Sequence, residues 1–130
     1  MQTTLTLIRH GESYANSENM VESFTCRGLT ARGIAQVTAL QQRFTNQPEQ
    51  YDVFYASTLH RARMTATILA PAIGLPITWE DDLHELRVGE ADGLSYTLVT
   101  ERYPQFDRGI IDVHTPVSYT HLTLPTKRIV

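Results

Sequence analysis

The chain has 130 residues, 42% of them hydrophobic, and a formal net charge of −3. That length supports one domain with a real core and hardly two. The acidic balance offers no field for nucleic acid or an anionic membrane as partner, no apolar run reaches spanning length, and no signal-peptide pattern opens the chain.

A single cysteine, Cys26, excludes an internal disulfide, so the expectation is a soluble, cytoplasmic, reduced protein. The first element is Leu5-Thr6-Leu7-Ile8, whose alternation predicts a buried strand running into Arg9-His10-Gly11-Glu12-Ser13. Gly11 lets the backbone turn at the strand's C-terminal end, where open α/β sheets collect their ligands. Arg brings a permanently charged planar fork that matches phosphate oxygens. His brings a nitrogen that is mostly neutral, and so nucleophilic, near neutral pH. The bland alternative is a surface turn after a strand, because short motifs recur by chance.

Residues 12–27 hold three Ser and two Asn and read as a loop or a broken short helix. Thr30 caps a helix that runs to about Thr45, with Ile34, Val37, Leu40 and Phe44 on its apolar face. Gly33 in its first turn permits close packing. Residues 53–56 form a second strand. Ser57 or Thr58 caps the next helix, which buries Ala62, Ala66, Leu69, Ala70 and Ile73 and closes at Gly74 and Pro76. Residues 77–79 form a third strand. An acidic, Gly-punctuated loop fills 80–95, and a short helix over 96–103 ends at Pro104. This order predicts an α/β fold with a mostly parallel sheet flanked by helices, which gathers Arg9, His10 and the Ser57 region at one edge.

Two further residues fall along that edge. Arg61 lies in the first turn of a helix, where a cation is electrostatically out of place unless an anion joins it. The alternative is a solvated Arg paired with Asp or Glu. Glu85, between Leu83 and Leu86, reads either as part of a solvated acidic loop or as a desolvated carboxyl that keeps its proton near neutral pH. In the second case it could protonate a departing alkoxide. The five histidines, His10, His60, His84, His114 and His121, form no metal-ligand pattern.

Taken jointly these pieces resemble the histidine phosphatase superfamily, the phosphoglycerate-mutase-like proteins. The matching features are R-H-G-E-S with Asn16, the L-T-x-x-G-x-x-Q helix start, S-x-L-x-R-A-x-x-T-A at 57–66, and E-x-x-x-G-x-x-x-G-L from Glu85 to Leu94, followed by Tyr103-Pro104. The resemblance covers residues 1–116 and implies a phosphoglycerate-mutase-like α/β fold and a phosphohistidine mechanism without metal or cofactor. It implies that His10 is the nucleophile, that Arg9 and Arg61 bind the phosphoryl group, and that Glu85 is the general acid. Ser13 and Asn16 would line the mouth of the pocket, and the partner would be a small phosphorylated substrate.

The chain also departs from the family. Members carry a second His, followed by Gly, after a later core strand, and neither His114 nor His121 matches it. Residues 117–130 contain no acidic residue and hold the only lysine, Lys127. They resemble translated sequencing-adapter DNA. The expectation is an N-terminal part of a histidine phosphatase domain over 1–116, truncated, with a non-native or disordered tail over 117–130. Mutases of the family usually show G-W-x-D before the L-T helix start and Tyr-Gly in the acid loop. This chain has Phe24-Thr25-Cys26-Arg27-Gly28 and Val88-Gly89. Phosphomonoester hydrolysis is therefore the favoured reading, with a mutase, or an inactive phosphate-binding fragment, as the alternatives. Oligomeric state is not readable.

Overall fold

The structure, a computed structural model, describes residues 3–85 and 87–104. The 117–130 tail and both His114 and His121 lie outside the described residues. Helix α1 spans Tyr14–Glu18, α2 Ala31–Asn46, strand β1 Phe54–Ser57, α3 His60–Ile73, β2 Ile77–Glu80 and α4 Tyr96–Arg102. Single 3₁₀ turns at Asp81–Leu83 and Gly89–Ala91 shape the segment between β2 and α4.

Local chemistry explains most of these limits. Thr30 sits in extended geometry and its hydroxyl accepts the Gly33 N–H at 3.0 Å, which starts α2. Gly74 adopts the left-handed conformation (φ 75°) that closes α3. Ser95 accepts the Leu98 N–H at 3.2 Å and starts α4, and Tyr103 and Pro104 follow its end.

Strands β1 and β2 pair in parallel, with Phe54 opposite Ile77 and Ser57 opposite Glu80, and α3 is the crossover between them. Helix α2 packs along α3, and Gln41 ties them by donating to the Ile68 carbonyl at 2.7 Å. Leu29, Val37 and Leu69 are buried between them, with Ile8, Leu40 and Phe44 packed against the cluster. Each such buried aliphatic side chain contributes roughly 1.5–3 kcal/mol. A second cluster, Val21, Val88, Ala91 and Val99, fixes the 81–95 segment and α4 to the loop after α1.

Three expectations need correction. Residues 5–8 form no strand; residues 3–12 have no regular secondary structure, and Leu5 is 64% exposed. Alternation makes a segment ready to be a strand, but only a neighbouring backbone ladder makes it one. Among the described residues β1 pairs with β2 alone. The cap of α3 is Leu59, without a side-chain hydrogen bond, rather than Ser57 or Thr58. The Thr58 hydroxyl is engaged instead by Asp81 and His84. Finally, Ile34 is exposed. The stripe that α2 buries follows Gly33, Val37, Leu40 and Phe44, a 4-3-4 spacing that leaves residue 34 off-axis.

Candidate active site

His10 is half-buried at the end of the segment that precedes α1. Its Nδ1 lies 2.7 Å from the Gly11 carbonyl oxygen. A carbonyl only accepts, so Nδ1 carries the proton and donates, and Nε2 keeps the lone pair of a neutral ring. Burial is the largest influence on this ring and lowers its pKa below 6.5. The Gly11 hydrogen bond pulls upward, the charges of Arg61 and Arg9 push downward, and that of Glu85 pulls upward, with a net depression. The structure thus places Arg9, Arg61 and Glu85 within electrostatic reach of His10. The four come from three separate stretches of the sequence, at residues 9–10, 61 and 85.

Arg61 is buried, and its position is set by the start of α3. Its guanidinium Nη1 donates to Glu22 Oε2 at 3.2 Å and approaches the Ser23 carbonyl at 3.4 Å. Its backbone N–H donates to Cys26 Sγ at 3.3 Å. One turn on, the Thr65 hydroxyl donates to the Arg61 carbonyl at 2.9 Å and accepts the Gly11 N–H at 3.3 Å. Thr65 therefore joins the turn that carries Arg61 to the turn that carries His10. Sequence reasoning quoted Thr65 within the 57–66 element without giving it this role.

Ser13 and Asn16 are placed as a cap. Ser13 is buried, its Oγ accepts the Asn16 N–H at 3.2 Å, and its own N–H donates to Asn16 Oδ1 at 3.0 Å. This reciprocal box starts α1. It uses the carbonyl oxygen of Asn16, which is itself exposed, and not its NH₂ donors.

Arg9 and Glu85 are exposed. The desolvated reading of Glu85 therefore does not hold in this structure. Glu85 lies on an exposed stretch between two 3₁₀ turns, whereas Val88 and Ala91 further along are buried in the second cluster.

Contacts outside the sequence reading hold this acid segment down. Asp92 accepts the Ser23 N–H at 2.7 Å, the Phe24 N–H at 2.9 Å, and the Thr25 N–H and hydroxyl at 3.1 and 2.8 Å. Phe24 in turn meets the His84 ring edge-on at 5.2 Å and lies 4.6 Å beneath the Arg87 guanidinium. His84 and Arg87 lie on either side of Glu85, so these contacts tie the loop at 22–25 to the acid segment. Of the residues in these contacts, Glu22 and Asp92 are named by none of the motifs, whereas Thr65 is a fixed position of S-x-L-x-R-A-x-x-T-A. Among the described residues no group of three or more His, Cys, Asp or Glu is placed to hold a metal ion. No helix among them is long and apolar enough to cross a membrane.

The family model of the histidine phosphatase superfamily (branch 1) matches residues 5–116. The chain belongs to that superfamily. It is 33% identical over 98 residues to the 2,3-bisphosphoglycerate-dependent phosphoglycerate mutase of Brucella ovis, covering 73% of this chain and 48% of the relative. The fold is similar to Bacillus stearothermophilus YhfR (TM-score 0.70, 27% identity), over 76% of this chain and 48% of that one. It is also similar to the alpha-ribazole phosphatase of Shigella flexneri (TM-score 0.65, 29% identity), over 73% and 46%. The chain spans about half the length of the curated relatives it matches.

Proposed function

We propose that this chain carries the nucleophile half of a phosphomonoester hydrolase that works through a phosphohistidine. The observation that carries the reading is the state of His10: a half-buried ring, its Nδ1–H given to the Gly11 carbonyl, its pKa depressed, with the charges of Arg61 and Arg9 bearing on it. A ring held neutral has its Nε2 lone pair available for attack on phosphorus. Arg9 and Arg61 neutralise the equatorial oxygens as the P–O bond to the leaving group lengthens and the N–P bond forms. Glu85, in its protonated form, gives its proton to the departing oxygen. Ser13 and Asn16 hold the rim of the pocket through their cap, with the Asn16 NH₂ available to an oxyanion. Water then cleaves the N–P bond and releases inorganic phosphate. The step needs no metal, and the substrate is a small phosphorylated molecule.

A second reading, phosphoryl return to an acceptor hydroxyl as in a mutase, is favoured by the Brucella mutase relative. Against it stand residues 24–28 and Val88-Gly89, which lack the mutase signatures. A third reading, phosphate binding without turnover, is favoured by the match to about half the length of the relatives.

The deciding experiment is incubation with an activated aryl phosphate followed by denaturation and mapping of acid-labile phosphate. Label on His10, lost in His10→Ala, supports the phosphohistidine. Absence of label, with inorganic phosphate still perturbing the His10 ring signals, favours the binding-only reading. Label on another residue overturns the role of His10.

A further inference from the structure

The Arg61–Glu22 pair is enclosed on both sides: 6% of the Arg61 side chain and 7% of the Glu22 side chain are exposed. The second carboxylate oxygen of Glu22, Oε1, accepts the Arg27 N–H at 3.3 Å. Burying two charges costs most of what their attraction returns, so a pair this enclosed is weak evidence of a purely stabilising role. Its location is more telling. Arg61 is one of the two guanidinium groups whose charge bears on His10. In this structure an internal carboxylate already occupies it. Arg9, Arg61, Glu22 and Glu85 together carry no formal net charge when both carboxyls are ionised, a poor field for an incoming dianion.

We infer that Glu22 is an internal anion that holds the Arg61 guanidinium in the resting protein and is displaced when a phosphoryl group enters. The inference rests on the proposed reading of Arg61 as a phosphoryl-binding group. The surroundings allow the exchange. Glu22 lies in a segment without helix or strand, and it lines a cavity of about 460 Å³ together with Glu18, Thr25, Cys26 and Arg27. A side-chain rotation into that cavity takes the carboxylate off Arg61. The backbone beside it stays fixed, because Asp92 grips the three N–H groups of residues 23–25. Glu22 therefore sets a threshold: weak or singly charged anions fail to displace it, whereas a phosphoryl dianion also drawn by Arg9 succeeds.

The test is titration of inorganic phosphate into the 130-residue chain, read from the His10 ring resonances and from the phosphate-dependent rise in melting temperature. Glu22→Gln keeps the shape and one acceptor for Arg61 but removes the charge. It is expected to bind phosphate about tenfold more tightly than the parent, with a correspondingly larger phosphate-dependent thermal shift. Glu22→Asp draws the carboxylate back by one methylene and should tighten binding by a smaller factor. If Glu22→Gln does not fold, Glu22→Asp carries the test, and unchanged affinity there overturns the inference. Equal or weaker phosphate binding by a folded Glu22→Gln also overturns it, while leaving the phosphate site itself standing. If phosphate perturbs His10 in none of the three proteins, the phosphoryl-binding reading of the site falls, and the inference with it.

Discussion

Gly11 and Gly33 meet backbone to backbone, and that contact seats the His10 turn on the first turn of α2. A Cβ on Gly33 would lie 2.1 Å from the Glu12 carbonyl oxygen, and a Cβ on Gly11 would lie 2.5 Å from the Gly33 carbonyl oxygen. Both approaches are to backbone, which cannot swing away as a side-chain tip can. The seat is reinforced from both sides. Thr30 N–H donates to the Glu12 carbonyl at 2.9 Å, and the Glu12 N–H donates to Gln36 Oε1 at 2.9 Å.

Gly33→Ala tests that seat. In an exposed helix the change would stabilise by about 1 kcal/mol. Here the methyl has no room, and overpacking makes the net effect a loss of about 2–3 kcal/mol. Chemical denaturation should show the loss, together with a shift of the His10 ring signals as its turn is pushed off α2. A stabilised Gly33→Ala protein would show that the two backbones are not in contact.

Asp92 gives a pH dependence with a definite sign. Burial by itself would raise its pKa; the hydrogen bonds from Ser23, Thr25 and Phe24 outweigh it and bring the value below 3.8. A carboxyl whose folded pKa lies below its unfolded one stabilises the fold above pH 3.8, and that contribution fades as pH falls through the depressed value. Asp92→Asn should lower stability near neutral pH by about 1–2 kcal/mol, since charged acceptors are worth more than neutral ones at a partly solvated site. It should also flatten the acid limb of the stability profile. A variant that keeps the parent's acid limb would remove Asp92 from its cause.

For His10 the sign is also fixed. Its folded pKa lies below 6.5, so the neutral ring contributes stability above 6.5 that is lost as pH falls through the folded value. Ring titration by NMR should place the midpoint below 6.5. Arg9→Gln removes a nearby cation and should move it up; Glu85→Gln removes a nearby anion and should move it down. Movement of both variants in one direction, or of neither, would mean that these groups do not surround His10.

What the sequence made legible was local. Thr30 starting α2 and Gly74 ending α3 are one-turn events, decided by a hydroxyl or by a missing Cβ, and both stand in the structure. Gly33 read correctly as a close-packing residue. What depended on distant partners did not come through. The 5–8 segment has a strand's alternation, yet pairing is decided by another segment's backbone. Arg61 was open to two readings, an anion site or a paired cation, and the structure shows the pair, buried rather than solvated. Glu22 is 39 positions from Arg61 and Asp92 is 67–69 from the N–H groups it holds. No periodicity or short motif reports contacts at those separations.

The proposed role of Glu85 makes the last prediction, since general-acid help matters only when the leaving group needs a proton. An aryl phosphate with an acidic phenol departs readily as the anion, whereas an alkyl phosphate departs as an alkoxide that must be protonated in the transition state. Glu85→Gln should therefore reduce phosphorylation of His10 by the alkyl substrate by about 10²–10⁴-fold and leave the activated aryl substrate within several-fold of the parent. His10→Ala should abolish both, and a chelator should change neither. Rates of phosphoenzyme formation on the two substrates, measured for the parent and the variant, give the ratio directly. Equal losses on both substrates would assign Glu85 a role in binding or positioning, and loss on chelation would point to metal-assisted hydrolysis instead.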